Sequence, residues 1–395
     1  MCDDKFYPKN KETDKLNPTK NKGIYLIQEP ACLNPTSGAF QHIKMGLKHL
    51  GTAYNLVPYL GTNTLDIAAI KAQKCTTNKQ STYVTKKSHW LKGSVKDLLA
   101  LCKGIYAIIP LIKALRKKQA QFIYERTSYL NIAGLVAAKA LGIPHFYEAN
   151  GLQFQSKKKY YNSLFTHIAR YIEKLQYKYS THTFFIGSYG NYWQLKANNW
   201  TNSENGIEKD LISDTIPSKL NDGKIHLVFV GSLMQHHRPD ILKAALLLLN
   251  PSKYHLHLVG SKLDNLHAEL LANNVPVTHH GFIKRTELKK VIEKFHIGII
   301  AGSPEYQSCM KLFDYALANC AIVAPNVDVL KTSFDKELCF FNGSATYMAN
   351  KIELLMDNKT LMQQYAKAIN DTVKTNYTWE NIFANKKQVI SNSLL

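Results

Sequence analysis

The chain is predicted to be an α/β protein made of two doubly wound parallel sheets in tandem. Three observations predict this. Short apolar runs alternate with amphipathic stretches from residue 24 onward. A polar break at residues 202–223 then gathers turn signals, among them Asn205-Gly206, Pro217 and Asn221-Asp222-Gly223. Beyond it the same alternation restarts. With 395 residues there is room for two substantial cores.

The elements follow in order. Residues 1–21, rich in Lys, Asn and Asp, read as a disordered leader. Residues 24–28 form a short apolar strand, followed by a loop at 29–38 and a helix over 39–50. A second strand is expected at 53–58, and 60–87 has no clear period and reads as irregular. Residues 121–124 are strand-like, 130–141 helical, 144–148 strand-like and 157–179 a longer helix. A strand at 183–186 and a helix at 189–197 close a first domain spanning 22–208. After a linker at 209–223, strands are expected at 225–230, 254–259, 276–280, 296–301 and 321–324. Helices near 238–249, 263–273 and 286–294 lie between them. This second domain spans 224–377, and 378–395 holds a terminal helix, from about 379 to 389.

Composition narrows the function classes. A hydrophobic fraction of 45% is ordinary for a globular chain. No stretch reads as long and apolar enough to span a bilayer, since residues 98–112 are interrupted by Lys103 and flanked by Lys96 and Lys113. Residues 1–22 lack the apolar core of a secretory leader. The seven cysteines are scattered without a C-x-x-C pair, which points away from a disulfide framework or a zinc site and toward a reducing cytoplasm. No His-x-x-x-His or Asp-x-Asp pattern occurs, so no metal site is expected.

The charge is unusual. Lys and Arg number 50 against 29 Asp and Glu, a net +21 that attracts nucleic acid, anionic lipid headgroups or phosphorylated substrates. Basic and aromatic residues concentrate at 86–118 and 153–178, the latter including Lys157, Lys158 and Lys159. Two readings stay open: segments lying on a membrane surface, or core-packed helices with solvated lysines outside.

The most informative segment is residues 308–325, SCMKLFDYALANCAIVAP. Ser308 is expected to cap a helix whose face carries Lys311 and Asp314, three residues apart. Residues 321–324 then read as a buried parallel strand. A helix start bearing a cation and a carboxylate is suited to a nucleotide, with N–H groups toward phosphate and the acid toward ribose hydroxyls.

This segment resembles the donor-site signature S-P-x-K-L-F-E-Y-x-A-x-G-x-P-V-V-A of GT-B glycosyltransferases of family 4, the group 1 type. Asp314 stands for the family's Glu, Cys309 for its Pro and Asn319 for its Gly. Where the family carries an upstream Glu, this chain has Tyr306, with Glu305 one residue off register. Phe229-Val230-Gly231-Ser232-Leu233 is similar to the family's F-V-G-R/S-L, after which a basic group contacts the donor diphosphate. Arg238 is the expected contact there, because a guanidinium binds phosphate bidentately. Residues 123–126 and 143–151 resemble I-Y-x-R and I-P-x-x-x-E-x-N-G, and Asn205-Gly206-Ile207-Glu208 the segment before the interdomain linker.

The resemblance implies two Rossmann-like domains facing a central cleft, acceptor-binding first and donor-binding second, with the terminal helix crossing back to the first. It implies a retaining glycosyltransferase moving a sugar from a nucleotide-sugar to a hydroxyl of a glycan or lipid-linked acceptor, in bacterial surface polysaccharide or lipopolysaccharide synthesis. The nucleotide-sugar is expected to be held by Gly38, Gly231, Ser232, Arg238, Ser308, Lys311 and Asp314. Arg126 and Glu148 are expected at the acceptor or cleft, with Glu148 either facing the cleft or pairing with Arg126. Asn150 and Tyr306 occupy the catalytic positions. No cofactor and no metal are implied. With no carboxylate at 306, front-face attack is expected, the leaving phosphate taking the acceptor proton. The expected partners are the donor, the acceptor and an anionic membrane surface, without nucleic acid. The expected location is cytoplasmic, peripheral on the inner face of the cell membrane. Two alternatives remain: a sugar-nucleotide epimerase or phosphorylase on the same fold, and a basic nucleic-acid-binding protein, for which no RNP-like or helix-turn-helix pattern is seen.

Overall fold

The structure is a computed structural model and describes residues 20–34, 37–67, 70, 90–155, 158, 163–196, 198–213 and 215–395. The leader at 1–19, most of the irregular stretch at 60–87, Thr36, and Lys157 and Lys159 of the expected helix start lie outside the described residues.

The first sheet contains β1 (Lys22–Ile27), β2 (Asn55–Leu60), β3 (Asn63–Thr64), β4 (Phe122–Arg126), β5 (His145–Ala149), β6 (His182–Ile186) and β7 (Trp200–Ser203), in the order β3-β2-β1-β4-β5-β6-β7. The second contains β8 (Ile225–Val230), β9 (Tyr254–Val259), β10 (Val277–His279), β11 (Ile297–Ile299), β12 (Ala321–Pro325) and β13 (Cys339–Phe341), in the order β10-β9-β8-β11-β12-β13. β1 pairs in parallel with β2 and β4, β6 with β7, and the strands of the second sheet with one another, while the β2–β3 edge pair is antiparallel. This is the predicted doubly wound α/β class.

By internal contacts the chain divides into two compact units. One holds Met1–Tyr147, Gln153–Thr181 and Ile390–Leu395; the other holds Glu148–Leu152 and His182–Val389. The inner strands β1, β4, β8 and β12 are buried on both faces, which explains why they read as near-continuous apolar runs. In β8, Leu227 and Phe229 join one core cluster and Val228 the other. In β12, Ala321 and Val323 face the first cluster, Ile322 and Ala324 the second. In the first unit, Ile24 and Leu26 of β1 pack with Ile123, Ala133 and Ala137, while Tyr25 stacks on Tyr124 at 5.2 Å between ring centroids.

The helices of the first unit are α1 (Gly38–Leu50), α2 (Trp90–Lys118), α3 (Ala133–Leu141) and α4 (Thr166–Tyr179). α2 corrects the expectation that no segment is long and apolar enough to cross a membrane: by length and composition this helix is. Lys103 does not break it, because one lysine on a helix flank leaves the i, i+3, i+4 apolar stripe continuous. The second unit carries α5 (Tyr189–Trp193), α6 (Pro239–Leu246), α7 (Asp264–Ala272), α8 (Arg285–Ile292), α9 (Met310–Leu317), α10 (Asp328–Phe334), α11 (Ala345–Asp357), α12 (Lys359–Asn376) and α13 (Trp379–Leu394). Strands β3, β7 and β13 and helices α10, α11 and α12 are additions to the sequence reading, β3 lying within the stretch expected to be irregular. Two of these helices carry conventional start signals: the Ser344 side chain accepts from Tyr347 N–H, and that of Asn358 from Leu361 N–H.

Candidate functional site

In each sheet the order reverses beside its first strand, and ligands of open α/β sheets bind beyond the strand ends at such a reversal. In the second sheet the reversal lies between β8 and β11. β8 ends at Val230 and runs into Gly231, whose φ of 147° belongs to the region favouring glycine. β11 runs on toward Gly302. A side chain there would begin 2.5 Å from Arg238 Cγ and 2.5 Å from the His236 carbonyl oxygen. Glycine at 302 thus lets the two loops close on one another.

Helix α9 supplies the chemistry beneath these loops. The Tyr315 hydroxyl accepts the Val230 N–H at 2.8 Å and donates to the Ile299 carbonyl at 3.2 Å, so it ties the helix to the ends of both strands. One turn earlier, Lys311 is 9% exposed and its ammonium has no hydrogen-bond partner among the described residues. It lies 4.9 Å from the Phe229 ring centroid and 3.3 Å from the point where a side chain would begin on Gly231. Burial lowers the Lys311 pKa, with Cys309 and Asp314 opposing that shift. An ammonium buried without a partner is costly, and a bound anion would relieve it.

His237 stands against the same glycine, its ring 3.4 Å from the Gly231 side-chain position. Its Nδ1 lies 2.6 Å from the Ser232 carbonyl oxygen. A carbonyl only accepts, so Nδ1 carries the proton and Nε2 is an acceptor in the neutral ring. Burial, and then the charge of Lys311, push the His237 pKa down to about 4. Ser232 therefore contributes its backbone carbonyl to ordering this loop.

The other expected donor residues have definite partners. Arg238 sits in the left-handed region and gives Nε and Nη2 to Asp240 at 2.7–3.1 Å, with its side chain about half exposed. Nη1 takes no part in that pair, so a phosphate contact by Arg238 would use its remaining N–H groups. Asp314 is held by Arg285 of α8, at 2.8 and 3.1 Å. Burial raises the Asp314 pKa, while Arg285 and Lys311 pull it back. Ser308 is not the helix cap. Cys309 takes that position without a side-chain bond, and the Ser308 hydroxyl instead accepts the Asn205 N–H at 3.1 Å. The reason is that α9 starts one residue later than expected, at Met310.

The catalytic candidates are similarly engaged. The Asn150 amide folds back on Glu148, donating to its Oε1 at 3.1 Å. The Tyr306 carbonyl accepts the Ser188 N–H at 2.9 Å, and its ring lies 5.4 Å from that of Tyr192. Glu305, the off-register acid, accepts the N–H of Asp328 at the start of α10 and so caps that helix. Glu148 has a partner that neither open reading named, Lys386 of α13, at 3.0 Å with both side chains buried.

In the first unit, Gly38 opens α1 behind Ser37, whose hydroxyl accepts the Phe40 N–H at 3.1 Å. One turn on, His42 Nδ1 lies 3.2 Å from Arg126 Nη1 at the end of β4. Gly38 and Arg126 thus sit around the reversal of the first sheet, between β1 and β4. His145 is a satisfied strand residue, between Glu125 Oε2 at 2.7 Å and Ser180 Oγ at 2.9 Å. Among the described residues, no group of three or more His, Cys, Asp or Glu is arranged to hold a metal ion.

Sequence reasoning passed over Arg285, His237, Gly302 and Lys386. His237 was visible as part of a His-His-Arg run after the β8 turn. The roles of the other three depend on contacts between distant segments.

Residues 238–386 match the family model described as glycosyl transferase-like. No curated protein sequence matches the chain. Among solved structures, HepE of Anabaena in complex with UDP-glucose is similar with a TM-score of 0.65 at 14% identity, over 94% of this chain and 99% of that one. Sucrose-phosphate synthase of Thermosynechococcus elongatus gives 0.65 at 12%, over 94% and 99%. The lipopolysaccharide outer core galactosyltransferase WaaB gives 0.62 at 12%, again over 94% and 99%. These likenesses show the fold, that of GT-B glycosyltransferases, and residues 238–386, less than half of the chain, are similar to the glycosyl transferase-like family.

Proposed function

We propose that the protein is a retaining, family 4-type glycosyltransferase that binds the diphosphate of a nucleotide-sugar at Gly231 and Lys311. The observation that carries this reading is the buried, unpartnered Lys311 ammonium beside a side-chain-free backbone at the sheet reversal. Its neighbour Asp314, oriented by Arg285, has further lone pairs for ribose hydroxyls. HepE was solved with UDP and with UDP-glucose, which favours a nucleotide-sugar donor here.

In the proposed reaction the acceptor hydroxyl oxygen attacks the anomeric carbon from the face that the diphosphate leaves. The bond from that carbon to the diphosphate oxygen breaks, and its electron pair goes to the diphosphate. The acceptor proton passes to the same phosphate oxygen. Lys311 stabilises the charge that develops there, and α9 adds its N-terminal N–H groups. No cofactor or metal takes part. The acceptor is a glycan or a lipid-linked glycan of bacterial surface polysaccharide or lipopolysaccharide synthesis. The enzyme works in the cytoplasm, peripherally on the inner face of the cell membrane. The likeness to WaaB, a lipopolysaccharide outer core galactosyltransferase, supports that class of acceptor.

The test is calorimetric titration with UDP, GDP and ADP, set against RNA at raised salt. One nucleoside diphosphate should bind, and Lys311→Met should weaken it. RNA binding that survives salt, with no diphosphate binding, would overturn the reading.

A further inference from the structure

The face of α2 turned away from the first unit is apolar. Leu98, Leu99, Ile105, Tyr106 and Ile109 are all exposed, Tyr106 by 81%. Only 17% of the helix's most apolar window is buried, so α2 is not an ordinary core helix. Its opposite face is fixed to the unit by polar contacts. Asp97 Oδ2 accepts from the Tyr129 hydroxyl at 2.7 Å, and Ser94 Oγ accepts the Leu164 N–H at 3.1 Å. A side chain on Gly104 would begin 3.2 Å from the Leu130 carbonyl oxygen. A helix bonded in this way along one face lies on a protein surface and cannot be ringed by lipid.

Charge identifies what covers the free face. α2 carries seven basic residues and one acid, and that acid is the buried Asp97. Lys92, Lys96 and Lys103 recur at spacings of four and seven, so they line one flank of the apolar stripe. Lys113, Arg116, Lys117 and Lys118 close its C-terminal end. An apolar stripe edged by lysines fits an anionic bilayer surface. A second copy fits poorly, because each chain carries +21 and interface cores are depleted of Lys. The chain segments at 71–89 and 156–162 are themselves lysine-rich and mostly polar, so their composition does not suit them to cover the stripe. Leu164, whose N–H is bonded to Ser94 of α2, is itself 67% exposed.

We propose that α2 is a monotopic membrane anchor. It lies parallel to the bilayer with Leu98, Leu99, Ile105, Tyr106 and Ile109 at the boundary between headgroups and acyl chains, and its lysines reach the anionic headgroups. This deepens the membrane placement proposed above and rests on it, while remaining separate from the donor site.

The experiment uses the full chain with vesicles of neutral phosphatidylcholine alone, or mixed with anionic phosphatidylglycerol. The wild type should sediment with the anionic vesicles, and part of the binding should survive salt that releases a purely electrostatic dock. Leu99→Gln/Tyr106→Gln/Ile109→Gln, which leaves the charge unchanged, should weaken binding about tenfold or more. Lys92→Gln/Lys103→Gln/Lys113→Gln should lose the preference for anionic lipid. Melting temperature and nucleoside diphosphate affinity, measured on each variant, should match wild type. The idea is overturned if the apolar triple variant binds as wild type does, if the wild type binds no vesicles, or if the variant's main effect is to dissociate a dimer. Loss of diphosphate binding in the wild type would instead count against the donor reading and leave the vesicle result standing.

Discussion

Arg285 holds Asp314 with two nitrogens of one guanidinium, at 2.8 and 3.1 Å, and so fixes the direction in which the carboxylate can accept anything else. A hydrogen bond to a charged group is worth about 1.5–3 kcal/mol. Asp314→Asn should weaken nucleoside diphosphate binding by about tenfold or more, with the melting temperature nearly unchanged. Arg285→Lys should give a smaller loss, because an ammonium cannot reproduce the two-point grip. Calorimetry with the diphosphate that binds best is the measurement. Undiminished affinity in Asp314→Asn would remove this acid from the site.

Lys311 leads to an expectation in which affinity and stability move apart. Lys311→Met should lower diphosphate affinity by about tenfold or more but leave affinity for the free nucleoside unchanged. Replacing a buried charge by an apolar chain of similar volume is often neutral or stabilising, so the melting temperature should hold or rise. A variant that melts earlier and binds as tightly as wild type would make Lys311 a structural residue.

Transfer activity should survive EDTA. The diphosphate charge is assigned to Lys311 and to backbone N–H groups, and the sequence offers no Asp-x-Asp pair for a divalent ion. An absolute requirement for Mg²⁺ or Mn²⁺, measured on chelated enzyme, would contradict the proposed mechanism.

Acid should destabilise the second unit through a row of imidazoles. Asp222 Oδ1 lies 2.9 Å from His226 Nε2, His226 Nδ1 2.8 Å from His257 Nε2, and His257 Nδ1 2.9 Å from His280 Nε2. Phe295 packs flat on His257 at 3.9 Å between ring centroids. Burial, then the neighbouring histidines, lower the His257 pKa from 6.5 to about 3, and burial first lowers that of His296 to about 4. These folded values lie below the unfolded value, so the unfolded chain binds more protons in between. The stabilisation is therefore complete above about pH 6.5 and is lost as the pH falls toward 4 and 3. Melting temperature should drop between pH 7 and pH 5, and His257→Gln should flatten that slope. An equal slope in the variant would mean that other groups drive the acid response.

Much of this could be read from the residues. β8 is apolar apart from His226 and β12 is apolar throughout, as expected of parallel strands covered on both faces, whereas β9 alternates His255 and His257 with Tyr254, Leu256 and Leu258. Lys311 and Asp314 were found because a helical face is local, a matter of spacing three. Their surroundings were not local. Arg285 is 29 residues from Asp314, and Lys386 is 238 residues from Glu148. Nothing in the neighbourhood of Glu148 announces that its cation comes from the terminal helix. For α2 the residues left two readings open, a helix lying on a membrane surface or one packed in the core, because periodicity alone does not say which face is covered; only the exposure of Leu99, Tyr106 and Ile109 shows that the stripe faces outward. Ser308 looked like a cap by residue type, yet its hydroxyl was already committed to Asn205 across the unit.

Tyr315 was at first only one more letter that fitted a pattern. Its hydroxyl joins a donor on β8 to an acceptor on β11, and its ring lies where a side chain on Gly298 would begin, 2.4 Å from that point. It acts as a gauge block whose length sets how far the two strand ends stand apart. Phenylalanine would keep the ring but leave Val230 N–H and Ile299 C=O without their shared partner, free to draw together or admit water. The tyrosine in this sequence pattern therefore encodes a distance, the separation of the ends of β8 and β11 beside Lys311.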